Sequence, residues 1–150
     1  MAIVHIKYLD EFSEWINKLD YRDKQWHAQF FPGKTVIANS LVTIIEALML
    51  HVMHETIALC CDALNVTSAE LEQKNRNQAM SDIRMATANI LLDRFDHKIS
   101  WSLMAKPMGW KGHSMFWHAR ANADVVQISD LISRVYSRYP FLKNNYNGLR

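Results

Sequence analysis

The sequence predicts an all-α protein: a single-domain helical bundle of four to six helices around a long central helix at about 35–64. Three observations carry this. Residues 35–64 run without a single Gly or Pro. The chain holds only three Pro and four Gly in 150 residues, which favours long regular elements over a turn-rich β architecture. Elsewhere apolar residues recur at steps of three and four, the period of a helix face.

Each element follows in order. Ile3, Val4 and Ile6 form a short strand or an extended lead-in. Leu9, Phe12, Trp15, Ile16 and Leu19 keep helical spacing over 9–19. A second short helix is expected over 21–30, carrying Trp26 and Phe30, before a turn at Phe31-Pro32-Gly33-Lys34. The central run would make a rod of about 45 Å at 1.5 Å per residue. Its apolar side carries Ile37, Leu41, Ile44, Ile45, Leu48, Met49, Val52, Leu59 and Ala63. The opposite strip is small and weakly polar, with Glu46, His51, His54 and Ala58, and is expected to be covered by another helix or a second subunit.

Thr67-Ser-Ala-Glu70 has the form of a capping box and starts a helix expected to run from 68 to about 97. A short piece at 99–105 leads to Pro107. The last helix is expected to start near Ser114, with Ala121, Val125, Ile128, Ile132, Val135 and Tyr139 forming one continuous seam. Arg120–Asp124 and Asp130–Arg134 are spaced as ion pairs on its other side. Pro140 stops it, and the tail at 140–150 either frays or docks through Phe141, Leu142 and Tyr146.

Composition narrows the class. Charged residues make up 21% and apolar residues 49% of the chain, which is globular rather than disordered. A net charge of +2 is too small to imply nucleic acid alone. The adjacent Cys60 and Cys61 point about 100° apart on a helix and do not readily bridge. Residues 36–53 have the length of a membrane span, yet Asn39, Ser40, Thr43, Glu46 and His51 argue for a buried bundle helix. No basic stretch precedes a long apolar one at the start, so a soluble, cytoplasmic protein with no membrane partner is expected.

Several residue groups could carry chemistry. His51, His54 and Glu55 lie within five residues of helix, Asp93 and His97 form an i,i+4 pair, and His118 lies on a third helix. Together they could ligate a metal or haem, although the specific His/Glu signatures are missing and no cofactor is favoured. The segment 106–120 interleaves cations with aromatics: Lys106, Trp110, Lys111, His113, Trp117, His118 and Arg120. Such a mixture suits single-stranded nucleic acid, a nucleotide or another anion; alternatively the Trp residues anchor a connector. Glu46, among apolar neighbours, could be a catalytic acid or a paired structural carboxylate.

Two further patterns fail on inspection. Gly33-Lys34-Thr35 lacks the upstream Gly of a phosphate loop. Residues 62–71 have the look of a helix-turn-helix turn, but 69–77 mixes Glu70 and Glu72 with Lys74 and Arg76 where a reader helix needs cations.

Arg22-Asp-Lys-Gln-Trp-His27 has the spacing Arg-x4-His. It resembles the catalytic motif of the HEPN family of helical ribonucleases. The resemblance covers six residues of 150 and lies early in the chain, whereas the family carries its motif on a late helix. It would imply that Arg22 and His27 act on an RNA backbone, usually across a homodimer. The leading expectation is different: a non-enzymatic interaction or regulatory protein that acts through helix–helix contacts. Five Trp and eight Met suggest more apolar surface than one small domain hides, hence a homodimer or a helical protein partner.

Overall fold

The computed structural model describes residues 2–4, 28–30, 36–38, 41–73, 77–95 and 98–146, with side chains from Met49 onward. The chain divides into two compact units, 1–51 with 147–150, and 52–146.

In the first unit three short strands pair as a sheet: β1 (Ala2–Val4), β2 (Ala28–Phe30) and β3 (Val36–Ala38). β1 runs parallel to β2, with Ala2 opposite Ala28, and β2 runs antiparallel to β3, with Gln29 opposite Ile37. Two expectations change here. Residues 28–30 are extended rather than the end of a second helix. The central helix, α1, spans Leu41–Ala63 and not 35–64, so it is about 35 Å long. Val36 and Ile37 are β-branched, lose side-chain freedom in a helix and suit a pleated strand. The expected helix at 9–19 lies outside the described residues.

The second unit, 52–146, is an all-α helical domain. After α1 come α2 (Ser68–Glu72), α3 (Gln78–Phe95), α4 (Trp101–Ala105), α5 (Ser114–Ala121) and α6 (Val126–Arg138). One-turn 3-10 segments follow α4 at Lys106–Met108 and α6 at Pro140–Lys143. Among the described residues no helix is long and apolar enough to cross a membrane.

The buried side of α1 carries Val52, Met53, Thr56, Ile57, Cys60, Cys61 and Ala63, while Leu59 is half-buried. His54 and Ala58, on the opposite strip, are exposed within one chain. Asn65 closes this helix in the left-handed region at φ 57°, which Asn tolerates better than most residues. The capping box forms as expected: Thr67 Oγ1 accepts from the Glu70 amide at 3.1 Å, and Glu70 accepts from the Thr67 amide at 3.2 Å.

α3 is the axis of this unit, packed against α5 and α6. From Ile83 to Leu92 only Met85 rises above full burial. Where one helix was expected over 68–97, two form. Arg84, only 5% exposed, turns its guanidinium on the carbonyls that end α2. Its Nε donates to Leu71 O at 2.8 Å, and its Nη2 donates to both the Glu70 and Gln73 carbonyls. These bonds hold orphan carbonyls that a continuous helix would have used itself.

The expected single helix over 114–139 is also two. α5 ends at Ala121 and α6 starts at Val126, so the seam is broken, and Ala121 and Val125 are exposed. Ile128 and Val135 keep their places in the core. The tail docks as far as Tyr146. Leu142 is fully buried, the Tyr146 amide donates to Arg94 O at 2.7 Å, and the Tyr146 ring packs on Phe95 at 5.8 Å. Phe141 stays half exposed under the Arg94 guanidinium, 5.5 Å from its ring centre.

Candidate nucleic-acid interface

From 97 to 123 the sequence holds no Asp or Glu, but it holds Lys98, Lys106, Lys111, Arg120 and three His. The fold makes this stretch a helix pair. Ser100 caps α4 by accepting from the Leu103 amide at 3.3 Å. Pro107 fits the first turn of the following 3-10 segment, and Gly109 closes it in the left-handed region at φ 71°. A side chain on Gly109 would collide with Glu72 O, so only Gly lets this turn lie against the end of α2. Met108 is fully buried beneath it.

α5 is then fixed by two fully buried residues, Phe116 and Ala119. Trp110 packs edge-on against Phe116 at 5.1 Å and anchors the connector. Trp117 does not. It is 65% exposed and meets Trp101 edge-on at 5.0 Å, which holds its ring in place without covering it. His113, Ser114, Trp117 and His118 therefore form an open outer side of α5, and Leu103 of α4 is 53% exposed. By helical spacing His113 and Ser114 lie beside Trp117, one turn toward the N-terminus. Among the described residues no side chain caps the first turn of α5, so its amide end keeps its partial positive charge. Lys106 and Lys111 are exposed, one on each side of the Gly109 turn.

Arg120 is placed differently from the other cations. Its guanidinium bonds Asp93 at 2.7 Å and Asn89 Oδ1 at 3.2 Å, both on α3. The spacing to Asp124 suggested another partner; the break after Ala121 takes Asp124 off the helix. Asn89 is 2% exposed, and its Nδ2 donates to Ala119 O at 2.8 Å and to Met85 O at 2.9 Å.

The other candidates are scattered. Arg22, His27 and His97 lie outside the described residues, as does the side chain of Glu46 on α1. His51 is half-buried, His54 and Glu55 are exposed, and Asp93 is held by Arg120. Among the described residues no three His, Cys, Asp or Glu side chains are grouped to hold a metal ion. Cys60 is fully buried, and burial, reinforced by neighbouring Cys61, pushes its thiol up to about 12. It is a poor nucleophile at neutral pH.

Neither family models, curated proteins nor solved structures give a match to this chain. Its own geometry is what supports a functional reading.

Proposed function

We propose that the protein is a non-enzymatic nucleic-acid-binding protein that presents α5 to double-helical DNA. One observation carries the reading: the exposed side of α5, with an uncapped positive end, lies inside a stretch of 27 residues without a carboxylate. A helix preceded by another helix and a Gly-containing turn, with its N-terminal residues free, is the arrangement that helix-turn-helix readers place in the major groove. The connector here, 106–113, is longer than the three or four residues of the simplest such pairs. Lys106 and Lys111 would lie against phosphates, while His113, Ser114, Trp117 and His118 would face base edges.

Binding of a random-sequence duplex should fall within about 10⁻⁴–10⁻⁶ M at physiological salt, with a steep salt dependence. Fluorescence anisotropy with a labelled duplex and the matching single strand tests the reading. Duplex should bind more tightly, and Trp117→Ala should weaken it. Equal or tighter binding of the single strand would sink the major-groove reading in favour of bases stacked on Trp117. No binding of either would sink nucleic acid altogether.

Helix–helix self-association is the second reading, favoured by the exposure of His54 and Ala58 on α1 within one chain. A purely monomeric mass at micromolar concentration would remove it.

A further inference from the structure

Resting on the DNA reading above, we infer that Asn89 and Arg120 are positioning residues that set the pose of α5, and that Arg120 is no phosphate contact despite its charge. Asn89 lies on α3 and fills the last turn of α5 from the side. The Ala119 carbonyl would accept from the Ala123 amide if α5 continued; that amide turns to Arg120 O at 3.4 Å instead. Asn89 Nδ2 supplies the missing donor at 2.8 Å. Its Oδ1 accepts from Arg120 Nη1, and Asp93 takes Arg120 Nη2. One buried amide thus satisfies the end of α5 and helps hold the guanidinium against α3. With Phe116 and Ala119 packed in the core, these bonds fix both the roll of α5 and its axial position, which decide where Trp117 and His113 point. The most basic group of the stretch is consumed in that task, so the contacts to an anionic backbone fall to Lys106 and Lys111.

Full-length variants test this by affinity for a short random-sequence duplex across a salt series, and by amide hydrogen exchange. Lys111→Ala should lower the salt slope by about one, as loss of a phosphate contact does. Arg120→Met should bind about tenfold more weakly with the slope of the wild type. Asn89→Leu should do the same and should speed exchange of the α5 amides about tenfold while α3 stays protected. A slope lowered by about one in Arg120→Met would make Arg120 a phosphate contact and overturn the inference. Wild-type exchange of α5 in Asn89→Leu would overturn it too. If Asn89→Leu does not fold, the smaller Asn89→Ala takes its place, since it removes the same donor to Ala119 O without adding bulk; unchanged α5 exchange there counts against the brace. A wild-type protein that binds no duplex defeats the DNA reading, and the exchange result then decides the brace independently.

Discussion

Two short helices end against α3, and they are held there in opposite ways. α2 is stopped by Arg84, a guanidinium buried among the Glu70, Leu71 and Gln73 carbonyls. α5 is stopped by Asn89, a neutral amide, with the guanidinium of Arg120 outside it on exposed Asp93. At the first junction the charge is inside and faces dipoles. At the second the charge is at the rim and faces a counter-charge. Burial, more than the presence of an Arg, decides what each junction is worth. A buried donor removed leaves the buried Leu71 carbonyl without a partner, whereas a rim ion pair removed is largely replaced by water.

High pH should produce the largest effect, through two groups that lie outside both junctions. In the folded chain burial raises the Cys60 thiol and the Tyr136 phenol to about 12, from ordinary values of 9.0 and 10.0. The folded state thus holds more protons between these values, and stability should fall as pH rises from about 9 towards 12. A urea midpoint that is the same at pH 8 and pH 11 would contradict it. Arg84→Met should cost about 3 kcal/mol, because acceptors at the end of α2 lose their donor. Urea unfolding measures this, and a cost below about 1 kcal/mol would erase the contrast between the two junctions. Gly109→Ala should cost about 2 kcal/mol, from a left-handed backbone and a collision with Glu72 O. Asp93→Asn should be the mildest, at most about 1 kcal/mol, since the pair with Arg120 is half exposed on both sides. A larger loss there would mean that the rim pair carries the α5 junction.

The all-α class and most helix starts and stops were legible in the sequence, because local chemistry sets them. Thr67 and Glu70 form their box, Ser100 caps, and Pro140 stops α6 within two residues of its end. The two breaks were not legible. Periodicity runs straight through 122–125, and nothing local forbids helix there. Asn89 reaches Ala119 from 30 positions away and Arg84 reaches Leu71 from 13, so tertiary bonds end helices that local propensity would continue. The short sheet was masked for a related reason: Val36 and Ile37 fit a helix by pattern and a strand by shape. At the candidate site the segment 106–120 was visible from its cations and rings. What sequence could not tell was which ring is an anchor and which is open. Trp110 and Trp117 look alike in a string of letters; Phe116 beneath one and Trp101 beside the other distinguish them.

The docked tail has a consequence for how the molecule is made. Leu142 and Tyr146 are synthesised after every helix of the domain, yet Tyr146 covers Phe95 and bonds Arg94, at the far end of α3. A nascent chain with α1 to α6 already outside the ribosome still carries a bare aromatic at that end until the last turn follows. A chain cut short before Tyr146 would stay in that half-finished condition.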